Sequence, residues 1–235
     1  MIAAIKRTAA LLAWAGAFGL SMLTLLYLVG FVLNRYTFSS VDSGLQIPER
    51  EALAIDLALL GLFGLQHSGL ARAWFKRIAG PVWSRTLYLL TTALVLTVLF
   101  VCWEPLPRLV WRFESRWPFQ LVLAAGGGLV TWALLSQNAL HFVGFRQAWT
   151  YFRGAAPVPP PAFSERGPYR FSRHPMMIGT LVFLWVTPEM SQGHLLLAAV
   201  WTLYILLAMR WEEADLEREL GAAYAEYRRR VRRLI

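Results

Sequence analysis

The chain has 235 residues, of which 57% are hydrophobic and only 16% charged, with a formal net charge of +9. A soluble domain of this length would be about a quarter charged and less than half apolar. That composition excludes a soluble enzyme and a disordered chain, and the one cysteine, Cys102, excludes a disulfide scaffold. A basic nucleic-acid-binding face needs polar surface that is missing here, so the charge reads as membrane topology. The expected fold class is all-α, a polytopic membrane helical bundle forming a single domain over residues 1–235.

A crossing helix needs about 20 mostly apolar residues. The first apolar run, residues 9–33, follows Lys6 and Arg7 and is too long for the core of a cleaved signal peptide. The second, residues 52–65, carries Asp56 and ends at Gln66-His67. The third is residues 87–103, and the fourth, residues 119–135, runs on into Ser136-Gln137-Asn138. Two shorter runs, residues 176–187 and 194–209, are joined by 188–193 and read as a C-terminal helical hairpin. The sum is about six apolar segments. Residues 9–140 make the N-terminal spans and 141–235 the C-terminal half.

If the N-terminus is cytoplasmic, 18 of the 23 Lys and Arg fall on the cytoplasmic side of six crossings. The positive-inside bias therefore predicts an inner-membrane protein with both termini cytoplasmic. Residues 155–161, rich in proline, read as a stiff connector. Beyond Met209 the last helix continues into water and closes at Gly221. The tail from Tyr224 is amphipathic and basic, which suits the anionic inner leaflet.

Polar residues inside or at the rim of a bilayer are the informative ones, because each is costly without a partner. Most gather near the cytoplasmic ends of the helices. The densest group is Gly167-Pro168-Tyr169-Arg170-Phe171-Ser172-Arg173-His174-Pro175, with Gly179 one turn on. Pro175 suits a helix start, and the arginines with that helix start suit a carboxylate; arginines alone would equally serve as a membrane anchor. Glu212 and Glu213 sit at a helix end whose dipole disfavours them. Either Arg210 forms a surface pair with Glu213, or a glutamate pairs with Arg173 or Arg170. Gln66-His67-Ser68 and His141-Phe142-Val143-Gly144-Phe145-Arg146 end helices two and four and read either as interfacial or as site residues. Asp56 and His194 lie toward the other face and read as structural or interfacial. The four histidines show no metal-ligand spacing, and no P-loop or Rossmann fingerprint is present, so neither a metal nor a soluble dinucleotide fold is expected.

The run Gly167-Pro168-Tyr169-Arg170 with Arg173-His174-Pro175, Gly179, Glu212-Glu213-x-x-Leu216, Gly221 and Tyr224-x-x-Tyr227 resembles the C-terminal half of the isoprenylcysteine carboxyl methyltransferase superfamily. These are integral membrane enzymes that use S-adenosylmethionine. Gln66-His67-Ser68-x-x-Ala71-Arg72, Arg85-x-x-Tyr88, His141-Phe142-x-Gly144-x-Arg146-Gln147 and the segment Phe183 to Leu196 resemble one branch, the bacterial methanethiol S-methyltransferases. The chain departs from that branch at its end, Arg232-Arg233-Leu234-Ile235.

The resemblance implies methyl transfer from S-adenosylmethionine to a small thiol, most simply methanethiol, giving dimethyl sulfide. It also implies a cofactor region of Tyr169, Arg170, Arg173, His174, Pro175, Gly179, Glu212 and Glu213. Substrate-positioning residues would be His67, His141 and Arg146, with His67, Arg173 and Glu213 nearest the chemistry. Expected partners are the thiol and the lipid bilayer, with neither nucleic acid nor metal. Two other readings stay open: a superfamily methyltransferase acting on another lipophilic thiol or carboxylate, and a non-catalytic membrane protein linked to nitrogen-oxide metabolism.

Overall fold

The computed structural model describes residues 1–159 and 163–234. Of the proline connector expected at 155–161, Pro160 and Pro161 lie outside the described residues. The chain forms two compact units, residues 1–107 with 139–161 and residues 108–138 with 162–235.

In the first unit, helices α1 (Ile2–Val32), α2 (Glu49–Ala71) and α3 (Ala73–Cys102) pack together, α3 against both others. Two short helices, α5 (Ala139–Phe142) and α6 (Phe145–Arg153), join them, and α6 lies on α1 and α3. Helix α3 begins well before the apolar run at 87–103. Its first two turns end at Gly80, whose φ of 74° breaks the helix, and Pro81 opens the next stretch with its missing N–H at a position where none is needed. Asp56 is buried on α2 and accepts the Glu104 backbone N–H at 3.0 Å, so it ties α2 to the chain leaving α3. That is the structural part expected of it.

The second unit holds α4 (Trp117–Ser136), α7 (Pro175–Trp185), α8 (Gln192–Leu220) and α9 (Ala222–Arg230), with a 3-10 turn at Gly167–Arg170. Strands β1 (Leu109–Arg112) and β2 (Glu189–Ser191) pair antiparallel, with Trp111 opposite Met190 and Arg112 opposite Glu189. Arg112 and Arg116 both form ion pairs with Glu189. No strand is expected from the sequence; the ribbon joins the turn between α7 and α8 to the chain entering α4. Helix α7, at 11 residues, rises about 16 Å, roughly half of a 30 Å hydrocarbon core. Residues 186–188 turn the chain from α7 into β2, which pairs with β1 ahead of α4. Helix α7 thus runs antiparallel to α4 and reaches the level at which α4 starts.

The approach between α4 and α7 is close. A Cβ on Gly179 would stand 2.4 Å from Val130 Cγ2 and 2.6 Å from the Gly126 carbonyl oxygen, so glycine is required there. His194, buried at the start of α8, gives its backbone N–H to Ser191 Oγ at 3.0 Å and places Nε2 2.9 Å from the Leu184 carbonyl oxygen. It is structural, as expected.

Among the described residues, α1, α2, α3, α4 and α8 are long and apolar enough to cross a membrane, and α7 is a shorter apolar helix. The chain is an all-α polytopic membrane protein. The amphipathic tail differs from expectation. Its apolar residues Tyr224, Tyr227 and Val231 are buried against Phe163, Leu216 and Leu220 within the second unit, not laid on a lipid leaflet. Aromatic surface with a protein partner at hand is buried there first.

Candidate functional site

The second unit builds its polar centre on one carboxylate. Glu212 and Glu213 are consecutive on α8, so about 100° of helix turn separates them. Glu213 turns inward, with a side chain 4% exposed, while that of Glu212 is 53% exposed. Glu213 Oε1 accepts from Arg173 Nε at 2.9 Å and faces His174 Nε2 at 3.0 Å. Its other oxygen, Oε2, accepts from Arg233 Nη2 at 2.6 Å and Nε at 3.1 Å. An ionised carboxylate only accepts, so His174 Nε2 carries the proton of that contact. His174 Nδ1 lies 3.6 Å from Glu212. Of the two pairings open at the sequence level, the buried one forms; Arg210 is not the partner of Glu213.

The loop carrying these side chains is zipped to the end of the chain. The Arg173 backbone N–H donates to Arg232 O at 2.9 Å, and Ser172 Oγ donates to Arg233 O at 3.1 Å while accepting the His174 N–H at 3.1 Å. Arg173 Nη1 donates to Arg228 O at 3.0 Å and Val231 O at 2.7 Å. With its side chain 9% exposed, Arg173 is therefore committed to Glu213 and the tail. It does not present an open fork to a ligand carboxylate, as the arginine–helix-start pattern suggested. Arg170 is exposed, with no ion pair among the described residues.

Behind this loop, Tyr227 Oη donates to Tyr169 O at 2.7 Å, and the Tyr169 phenol hydrogen-bonds Gln137. Burial pushes the Tyr224 phenol up to about 12, with the nearby Glu213 charge adding to it, and burial also raises Tyr227. Both stay neutral. The Tyr224 hydroxyl is buried with no hydrogen-bond partner among the described residues. Hydrogen bonding to Glu213 raises the Arg233 guanidinium above its ordinary range. Pro175 is buried at the first position of α7, and Gly179 meets α4, so these two build the helix start and its packing.

The first unit gathers the histidines assigned to the substrate. His67, near the end of α2, stacks on Phe63 at 5.1 Å and takes the Tyr88 hydroxyl at 2.6 Å from Nε2. Gln66 Nε2 donates to Thr91 Oγ1 at 2.8 Å, fixing the same turn against α3. The Arg85 guanidinium lies 5.2 Å from the Tyr88 ring centroid and 4.7 Å from that of Phe142, and its Nε donates to the Phe142 carbonyl. His141 precedes Phe142, and its carbonyl accepts from Gln147 Nε2 at 3.3 Å. Partial burial, with the Arg146 and Arg85 charges, holds the His141 imidazole below its ordinary range. Arg146 itself is exposed.

His67 and the His141 loop are thus joined through Tyr88 and Arg85. The Arg85-x-x-Tyr88 pattern was visible in the sequence without a role. Arg233 carried no signal beyond a basic tail. Among the described residues, no group of three His, Cys, Asp or Glu side chains is arranged to hold a metal.

No family model and no solved structure matches the chain. Curated proteins do. A methanethiol S-methyltransferase of a Pseudomonas strain is 37% identical over 221 residues, covering 91% of this chain and 85% of the relative. Methanethiol S-methyltransferase 2 of Bradyrhizobium diazoefficiens is 38% identical over 220 residues, covering 89% and 83%. Nurim of Sus scrofa is similar over a shorter stretch, 34% identical over 190 residues, covering 74% of this chain and 70% of the relative. Likeness at this level across nine-tenths of the sequence takes in the His67 and His141 segments as well as the Arg173–Glu213 half, and the chain belongs to the family of the methanethiol S-methyltransferases.

Proposed function

We propose that the protein transfers the methyl group of S-adenosylmethionine to methanethiol, releasing dimethyl sulfide. The observation that carries this reading is the match to curated methanethiol S-methyltransferases over more than four-fifths of their own length. The residues fit a zwitterionic donor of that kind. Glu212 offers an open carboxylate beside His174, Arg170 offers an open cation, and Tyr169 is held between Gln137 and Tyr227.

When bound, S-adenosylmethionine supplies an electrophilic methyl whose bond to sulfur breaks as the bond to the thiolate forms. Arg170 would hold the donor carboxylate and Glu212 its amino or ribose groups. Glu213, Arg173 and Pro175 keep His174 and the α7 start in place. On the substrate side, His67 takes or steers the thiol proton, since the thiolate is the nucleophile. Tyr88 orients the His67 ring from Nε2, and His141 with Arg146 positions the thiol.

Cells that make this protein and are given methanethiol should release dimethyl sulfide into the headspace, and cells without it should not. Equal release from both would remove the reading.

The same reading places the protein in a bacterial inner membrane with both termini cytoplasmic, supported by the basic residues and by the ribbon that carries 189–191 to β1. A reporter fused after residue 235 should be active only as a cytoplasmic reporter, and one inserted at 188–193 only as a periplasmic one. A periplasmic C-terminus would overturn this topology.

A further inference from the structure

We infer that Arg233, three residues beyond the end of α9, is a positioning residue of the donor site. It fixes Glu213, and through Glu213 the ring of His174, in the arrangement that donor binding requires. This rests on the proposed function above and adds to it a role for the C-terminal segment.

Three independent observations support it. First, Arg233 binds Glu213 through two nitrogens: Nη2 donates to Oε2 at 2.6 Å, and Nε is shared between Oε2 at 3.1 Å and Oε1 at 3.2 Å, so the contact spans both oxygens and fixes the carboxylate plane as well as its charge. Second, Arg173 and His174 both meet Oε1, at 2.9 and 3.0 Å, so a rotation of that carboxylate moves the acceptor away from the His174 ring. Third, the backbone that delivers Arg233 is itself held. Arg232 O accepts from the Arg173 N–H, Arg233 O accepts from Ser172 Oγ, and Val231 is buried against the α9 tyrosines. The loop ahead of α7 and the end of the chain are one construction, closed on Glu213.

Arg233 does not hold the fold in the way Arg173 does. Its side chain is 43% exposed, against 9% for Arg173. Removing it leaves no buried cavity, and Arg173 still neutralises Glu213. What is lost is the second clamp on the carboxylate. Two substitutions separate geometry from bulk. Arg233→Ala removes the clamp, and Arg233→Lys keeps a cation able to reach Oε2 though without the fork.

The full-length protein in detergent, with each substitution, is measured three ways: S-adenosylmethionine affinity by calorimetry, steady-state kinetics, and amide hydrogen exchange over residues 171–178. For Arg233→Ala, Kd and the donor KM should rise about tenfold or more with kcat little changed, because ground-state binding is what the clamp serves. Exchange over 171–178 should increase. Arg233→Lys should return Kd to within about threefold and exchange to the wild-type level, since the pair is charge-assisted. A purely structural arginine would instead lower thermal stability in both variants with no lysine rescue of affinity, and that result overturns the inference. So does wild-type affinity and exchange in Arg233→Ala. If the wild-type protein binds no S-adenosylmethionine, yet exchange rises in Arg233→Ala and recovers in Arg233→Lys, the donor reading falls while the positioning of His174 by Arg233 stands.

Discussion

Replacing Glu213 with alanine should be the most damaging single change in the second unit, and replacing its neighbour Glu212 should be mild. Glu213 is 4% exposed and is the common acceptor for Arg173, Arg233 and His174. Without it, the Arg173 guanidinium, 9% exposed, is left near the bilayer rim with backbone carbonyls but no counter-charge. Removing one member of a buried pair costs about 3–5 kcal/mol. In a chain of this size that corresponds to a fall in melting temperature on the order of 10 °C. The Glu212 side chain is 53% exposed, and His174 Nδ1 lies 3.6 Å from it. An open pair of that kind is worth under about 1 kcal/mol, so Glu212→Ala should melt within a few degrees of wild type while weakening donor binding. Thermal unfolding of both variants in the same detergent gives the comparison. Equal losses would mean that the inward turn of Glu213 has no energetic weight.

The second large effect is expected at His67 and should appear in rate, not stability. His67→Ala should lower turnover by about 10²–10⁴-fold, the usual contribution of general acid–base catalysis, with S-adenosylmethionine affinity close to wild type. The lost interaction belongs to the thiol and its transition state. Raising the pH should restore part of the rate, because more thiol is then ionised without help from the protein. His141→Ala tests a different role: a side chain that only positions the thiol loses rate with no recovery at high pH. Turnover of both variants across pH at saturating donor separates them. Wild-type turnover in His67→Ala at neutral pH would make His67 a packing residue between Phe63 and Tyr88.

Much of the bundle is legible in the sequence because a spanning helix is written in consecutive residues. Runs near 20 apolar residues leave few alternatives; α2, α4 and α8 contain the predicted runs, and α1 contains all of its run but Leu33. What is missed depends on contacts remote in sequence. The β1–β2 ribbon is three or four residues a side and has no periodicity long enough to read. The early start of α3 is hidden because Gly80-Pro81 looks like a terminator when it is a break between two stretches.

At the candidate site, residue types are legible and their orientation is not. Glu212 and Glu213 are equivalent in sequence, and only the packing of α8 decides which turns inward. Arg173 looks like an anion-binding arginine until the tail carbonyls of Arg228 and Val231 claim its Nη1. Arg233 sits in a basic segment that membrane electrostatics explains well enough alone, so nothing in its spacing points to Glu213. Tyr88 needed the register of α2 against α3 to become the partner of His67.

The most direct test of the central claim uses purified protein in lipid, S-adenosylmethionine labelled with deuterium in its methyl group, and methanethiol, with the gas phase read by mass spectrometry. The account predicts dimethyl sulfide carrying one labelled methyl group, formed in proportion to enzyme and all but lost in Glu213→Ala. Unlabelled dimethyl sulfide, or none from folded wild-type protein, would contradict it.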